Sequence, residues 1–393
     1  MFASRTNWRL ETNRLTRALE EHRRGGKELL DLTASNPTTC GFAYPEREIL
    51  AALGDPRGLV YRPESKGLLE AREAVAEYYA GRSGFFGSAP RIDPERILLA
   101  SGTSEAYSHI FRLLCEPGDE ILVPAPSYPL FEFLADLADI RLVPYSLLYD
   151  HGWQIDFVSL RAGLTPRSRA VLVVHPNNPT GSFVKPGEAA ELAEICAERE
   201  MAMVADEVFL DYAGGTTPAP TFARSDTALT FTLSGLSKIS LLPQMKLAWT
   251  VVSGPDAVVH AAVDRLEIIA DTYLSPSTPV QLALPKLLSL RHTLQTQLQQ
   301  RISANLSVLD GLSRESKSLA RLDREGGWYA ILRVPVMGSD DDLAIALVER
   351  FSVLVHPGHF FNFSREGFLV LSLITPEDTF KEGGLRMLRF LDR

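Results

Sequence analysis

From about residue 70 to residue 250 the chain alternates two textures. Stretches such as "GLLEAREAVAEYYAG" and "PGEAAELAEICAERE" read as helices, and between them fall short aliphatic runs: "RILLA", "EILVPA", "AVLVVHP", "MAMVADEVF", "ALTFTLSG" and "LAWTVVSG". Runs of that length and composition read as strands. Strand and helix in alternation predict a largely parallel, doubly wound sheet covered on both faces, with ligands at the carboxyl ends of its strands.

After about residue 275 the texture changes. "TPVQLALPKLLSLRHTLQTQLQQRISANLSVLDGL" reads as a long helix, broken or kinked near Pro285, that leads away from the sheet. A smaller α+β unit follows, with strands expected at "GGWYAILRVP", "SVLVHP" and "FLVLSLI" and helices at "DDLAIALVERF" and "EGGLRMLRFLD". The expected division is an N-terminal segment 1–44 that joins the small domain, a large domain 45–275, and a small C-terminal domain 276–393 that includes the connecting helix.

With 393 residues the chain exceeds the usual single-core size, which agrees with two domains. Its 40 Lys and Arg against 49 Asp and Glu give a net charge of −9, which argues against a general nucleic-acid or anionic-membrane binder. Cys40, Cys115 and Cys196 are odd in number, far apart and without CxxC spacing, so neither a disulfide framework nor a zinc site is indicated. "MFASRTNWRLETNRL" lacks the apolar core of a signal peptide and no apolar run approaches membrane-spanning length, so a soluble cytoplasmic protein is expected.

Several polar or Gly-rich segments fall just after expected strands. "LLASGTSEAYSHIFRLL" sets Ser101, Gly102, Thr103 and Ser104 between a strand and a helix, where free N–H groups and hydroxyls can hold a phosphate or simply cap the helix. "LVVHPNNPTGSFVKP" is a rigid turn that presents a side-chain amide, or one whose Asn residues cap their own backbone. "MAMVADEVFLDY" ends an apolar strand in Asp206 and Glu207; a carboxylate buried there needs a cation, such as a protonated heterocycle nitrogen or an arginine, unless it caps the next helix. In "SGLSKISLLPQMKLAW" the one amine, Lys238, is flanked by small hydroxyl and apolar residues that suggest enclosure. Desolvation lowers an amine's pKa and makes it a nucleophile able to form a Schiff base, whereas most lysines are merely exposed.

Together and in this order, these four segments resemble the class I/II aminotransferases, fold-type I enzymes that use pyridoxal 5′-phosphate (PLP), over almost the whole chain. The resemblance implies an α/β fold with a large, mostly parallel sheet domain and a smaller α+β domain. It implies that Lys238 carries the cofactor through an imine, that Asp206 pairs with its ring nitrogen, that Asn178 donates to its phenolic oxygen and that Tyr128, in "PAPSYPLFE", stacks on its ring. Gly102, Thr103 and Ser104 resemble the phosphate cradle, with Ser237 beside Lys238 adding a contact. Tyr61, in "YRPESKGLLEAR", matches a tyrosine that reaches the phosphate of the neighbouring subunit, which implies a homodimer with shared sites; alone it reads equally as a packed loop aromatic.

Three positions depart from the family. Phe209 stands where a tyrosine usually donates to the phenolic oxygen, and Lys246 where an arginine usually meets the phosphate, which keeps the charge but not the fork geometry. In "REGFLVLSLITP" Val370 takes the place of the arginine that clamps the substrate's α-carboxylate. Either another cation substitutes, with Arg365, Arg333, Arg9 and Arg14 as candidates, or the substrate is not a standard α-amino acid; the first is favoured, and Asn36 joins Arg365 and Arg333 as a candidate substrate contact. His356 and His359 in "VHPGHFF" flank a Pro-Gly turn and do not read as a metal pair.

The activity expected is ping-pong transfer of an amino group from an amino acid or related small amine to a 2-oxo acid. A PLP-dependent β-lyase or decarboxylase of the same fold is the alternative. A non-catalytic PLP-sensing module is disfavoured, because only about 40 residues precede the aminotransferase-like pattern.

Overall fold

A computed structural model describes all residues except 9, 86–90, 216–217, 337 and 393. In chain order the strands are β1 (Leu30–Asp31), β2 (Ile97–Ala100), β3 (Glu120–Ala125), β4 (Arg141–Tyr149), β5 (Trp153–Ile155), β6 (Ser168–Val174) and β7 (Ala202–Asp206). They continue with β8 (Thr230–Gly235), β9 (Ala248–Ser253), β10 (Ala320–Arg321), β11 (Tyr329–Arg333), β12 (Val353–Leu354), β13 (His356–Pro357) and β14 (Phe368–Ser372).

The large sheet has the order β2-β9-β8-β7-β6-β3-β4-β5. From β8 through β7, β6 and β3 to β4 all neighbours are parallel, while β9 runs antiparallel between β8 and β2, and β5 folds back on β4. β7 and β8 are buried along their whole length, as sandwiching between helices demands. Helices Thr103–Leu114 and Asp256–Tyr273 cover one face, and Pro186–Glu198 the other. Chain order leads outward from β3 to β4 on one side and from β6 to β7 to β8 on the other. The strand order therefore reverses between β3 and β6, and a crevice opens at their carboxyl ends.

Two features differ from the sequence expectations. The β4–β5 hairpin differs from the expectation because next to the sheet edge only Tyr145 of β4 is buried and Pro144 interrupts the run, so no continuous aliphatic stretch marks it. The helix Thr278–Glu315 is not broken at Pro285 but passes through it. One lost backbone bond is offset there by burial of Leu284, Leu287 and Leu288 against the sheet helices.

The small sheet has the order β10-β11-β14-β13. "SVLVHP" divides between two sheets: β12 pairs with β1 in parallel, and β13 joins β14. The N-terminal helix Arg14–Arg24 packs on Asp340–Phe351, with Arg14 paired to Asp342 at 2.7 Å. Upstream of it, Trp8 crosses to the large sheet's side, donating to Asp136 at 2.7 Å and setting its ring 5.6 Å from Phe133. One apolar cluster joins Phe209, Tyr212 and Leu241 to Trp328, Tyr329 and Val370 of the small sheet, which closes the crevice from above. Among the described residues no helix is long and apolar enough to cross a membrane.

Candidate active site

At the switch point lies a cavity of about 290 Å³ into which Lys238, Asp206, Asn178 and Tyr128 all face. Lys238 is on a single helical turn, Leu236–Ile239, that leaves β8 through Gly235. A side chain at 235 would meet the Leu247 carbonyl and Ala248 at 2.9 Å, so only glycine lets β9 pass this closely. The Lys238 amine sits 4.8 Å from the Trp328 ring centroid and 5.7 Å from that of Phe209. Loss of water there lowers its pKa to about 8, against the opposing pull of Asp206. Roughly a tenth of the amine is then unprotonated at pH 7, some hundreds of times more than for a free lysine.

Asp206 ends β7 and is buried. Burial raises its carboxyl pKa, and the bonds that favour the ionised form are a Val208 N–H at 3.1 Å on Oδ1 and the Tyr107 hydroxyl at 2.8 Å on Oδ2. A carboxylate has more lone pairs than these two donors use, so it can take a further N–H from the cavity. Glu207, the next residue, is occupied by Thr221 and the Phe222 N–H and belongs to the core.

The two asparagines of "NNPTG" part company. Asn177 donates to the Pro126 carbonyl and Thr180 and accepts from Ser127, locking the loop. Asn178 lines the cavity, and its side-chain oxygen is buried without a hydrogen-bond partner among the described residues. An amide so placed can turn either end to a ligand oxygen or donor. His175, beneath them, accepts from the Val184 N–H through Nδ1 and donates from Nε2 to the Pro220 carbonyl; full burial holds its pKa at about 3, so it is neutral and structural.

At the far end the helix Thr103–Leu114 begins without a side-chain cap. Glu105 and Ala106 donate to the Gly102 carbonyl, while the Thr103 and Ser104 N–H groups find no acceptor among the described residues. Lys246, in a left-handed turn at φ 50°, brings its amine within 3.5 Å of where a Gly102 side chain would begin. Uncapped N–H groups and a neighbouring ammonium make an anion site. Thr103, Ser237 and Lys246 line the cavity directly, and Gly102 and Ser104 flank Thr103.

The other candidates lie elsewhere. Tyr61 is 77% exposed, beside Leu59 and Val60. Asn36 spends its side-chain oxygen capping the turn Pro37–Thr39, and it is its neighbour Ser35 that lines the cavity. Arg333 and Arg365 line a separate cavity of about 360 Å³ with Tyr149 and Trp153. Arg14 is paired with Asp342, and Arg9 lies outside the described residues. Val370 is fully buried between Ile331 and His356 on the neighbouring strands, and His359 faces Asp341 at 3.7 Å.

The structure adds residues that the motifs alone do not name. Tyr107 holds Asp206, and its position four after Thr103, one helical turn on, is the signal that could have found it. Trp328 and Tyr329, in "GGWY", come from the small sheet, and nothing local in the sequence ties them to Lys238.

A desolvated amine facing a buried carboxylate at the switch point of a doubly wound sheet, with an anion site alongside, belongs to the class of enzymes that work through a covalently held heterocyclic phosphate. The family model for aminotransferases of class I and II matches residues 27–381, and the chain belongs to that family, whose members depend on PLP. It is 28% identical over 357 residues to an alanine aminotransferase of Mycobacterium tuberculosis, covering 86% of this chain and 79% of that one. It is 25% identical over 384 residues to the glutamate-pyruvate aminotransferase AlaA of Haemophilus influenzae, covering 93% and 91%. Among solved structures, the alanine aminotransferase from Pyrococcus furiosus superposes with a TM-score of 0.89 at 23% identity, over 100% of this chain and 99% of that one, which shows the same fold. The cavity suits PLP: the NH2 end of the Asn178 amide, which no hydrogen bond among the described residues fixes in orientation, the spare lone pairs of Asp206 and the uncapped helix beside Lys246 are complementary to a phenolic oxygen, a ring N–H and a phosphate.

Proposed function

We propose that this chain is a transaminase that takes an amino group from an amino acid or related small amine and delivers it to a 2-oxo acid by a ping-pong route. The observation that carries the proposal is the meeting, in one cavity, of the desolvated Lys238 amine and the buried Asp206 carboxylate. When bound, PLP supplies an aldehyde that takes up the amino group and a ring that accepts the electrons released at the amine-bearing carbon. Asp206 would keep the ring nitrogen protonated, Asn178 would meet the phenolic oxygen, and Tyr128 would cover the ring face. Thr103, Ser104, Ser237 and Lys246 would meet the phosphate, with Gly102 leaving room for it. Lys238 would anchor the cofactor and, once displaced, accept and return a proton at the substrate carbon, a task its lowered pKa suits. Phe209 brings no hydroxyl, which leaves Asn178 as the side-chain donor to the phenolic oxygen.

The exposed apolar run Leu59, Val60 and Tyr61, at 90%, 59% and 77% exposure, supports a homodimer in which Tyr61 reaches the partner's phosphate. Sedimentation of the purified protein tests this. Three unpaired cysteines support a reducing, cytoplasmic setting.

Relatives named alanine and glutamate-pyruvate aminotransferases make alanine, glutamate and pyruvate natural first compounds to assay. Stoichiometric conversion of bound PLP to pyridoxamine phosphate by an amino donor is the test. A lyase or decarboxylase would turn over without accumulating it, and a sensing module would not turn over.

A further inference from the structure

We infer that the cavity at Lys238 accepts amines whose reacting carbon carries a neutral hydrogen-bonding group, such as a hydroxymethyl or an amide, in preference to a carboxylate. This rests on the transaminase reading and names its substrate class.

The face of the small sheet above the cavity shows why. In the antiparallel pairing of β11 with β14, Tyr329 lies opposite Ser372, Ile331 opposite Val370 and Arg333 opposite Phe368, and directly opposed residues share a face. Tyr329 lines the cavity at Lys238, whereas Arg333 and Phe368 line the separate one beyond. The position between the two cavities, from which a guanidinium would reach a substrate carboxylate, is filled by Val370 and Ile331, 0% and 3% exposed. Arg333 is four residues further along the strand from Tyr329, about 13 Å at the usual rise, beyond the reach of its own side chain.

The cations among the described residues that line the cavity are Lys238 and Lys246. The first is the reacting amine, and the second stands at the uncapped helix, where a phosphate needs it. What remains at the substrate end is neutral: the Ser35 and Tyr329 hydroxyls, with the loop before Ser35 fixed by the Ser372 hydroxyl, which donates to the Ala34 carbonyl at 2.5 Å. His356, across from Val370, stacks flat on Phe360 at 4.8 Å. A carboxylate desolvated there would lack a counter-charge, while a hydroxyl or amide would find donors and acceptors of its own kind. Both partners of a ping-pong reaction use the same cavity in turn, so a 2-oxo acid enters under the same handicap and is expected at high KM.

The test is a matched pair. Purified, PLP-loaded enzyme is mixed with L-alanine, with L-alaninol, which replaces the carboxylate by a hydroxymethyl group, and with isopropylamine, and loss of the PLP absorbance is followed. The inference predicts consumption efficiency for alaninol at least tenfold above that for alanine. Calorimetric titration of the PLP-loaded Lys238→Ala variant, which reads binding without turnover, is expected to give the same order. Val370→Arg is expected to move the preference toward alanine by at least tenfold, and Tyr329→Phe to weaken alaninol more than isopropylamine. Alanine consumed as efficiently as alaninol, for instance through a guanidinium from a second copy of the chain, overturns the inference and leaves the transaminase reading intact. Bound PLP that no amine alters removes the transaminase reading, and this inference with it.

Discussion

Tyr107 donates its phenolic hydrogen to Oδ2 of Asp206 across 2.8 Å, with both side chains inside the core. Burial pushes the Asp206 carboxyl up, and the Val208 N–H, this bond and the Lys238 charge pull the other way, favouring the ionised form. A hydrogen bond to a charged acceptor contributes about 1.5–3 kcal/mol. Tyr107→Phe is therefore predicted to weaken PLP binding roughly tenfold to a hundredfold. Its removal raises the Asp206 pKa further, so the acid limb of the pH–rate profile moves to higher pH. Cofactor titration and a pH profile of the variant check both effects.

Lys238 links the site to stability. Its pKa falls from 10.5 to about 8 on folding, so between those values the unfolded chain holds a proton that the folded chain has lost. Stability from this group rises with pH across that window, and the burial penalty is complete below about pH 8. Lys238→Met removes the penalty and is predicted to stabilise the PLP-free protein at pH 7 by about 1–3 kcal/mol. The gain is predicted to vanish above pH 10.5, where folded and unfolded lysine are both neutral. Urea unfolding at several pH values measures it.

The neighbouring asparagines are predicted to fail in different ways. Asn177→Ala breaks three side-chain bonds inside the loop and is expected to lower stability by about 1–3 kcal/mol, as buried partners go unmet. Asn178→Ala removes an amide whose oxygen has no partner among the described residues, so the melting temperature of the PLP-free protein is expected to hold while the absorbance of bound PLP shifts. Thermal melts and absorbance spectra of the two variants separate the roles.

Lys246 is predicted to act as a point charge at the uncapped helix. Lys246→Ala should weaken PLP binding about tenfold to a hundredfold, while Lys246→Arg should restore most of it. The same change should leave binding of pyridoxal, which lacks the phosphate, within about twofold. Equilibrium dialysis with both compounds decides the matter.

The sheet was legible because buried parallel strands are continuous aliphatic runs, and because Asp206 ends one of them while Lys238, Asn178 and the turn at Thr103 each sit just past another. The β4–β5 hairpin was not, since strands half in water at the end of the sheet lose that signature. The break allowed for at Pro285 does not occur because the rule against proline in helices is local, while the burial that offsets the lost bond comes from residues far along the chain. The arginines at 333 and 365 looked available as substitutes because a sequence lists charges without distances; the register of β11 on β14 places them over another cavity. Trp328, which sets the environment of the Lys238 amine, arrives from the other sheet and has no local signal at all.

The most direct measurement is borohydride trapping of the purified, PLP-supplemented protein, followed by peptide mass spectrometry. The account predicts a visible absorbance that borohydride abolishes, with one reduced pyridoxyl-phosphate adduct on Lys238, and no adduct and at least a thousandfold lower turnover in Lys238→Ala. An adduct on another lysine, or undiminished turnover in that variant, would contradict it.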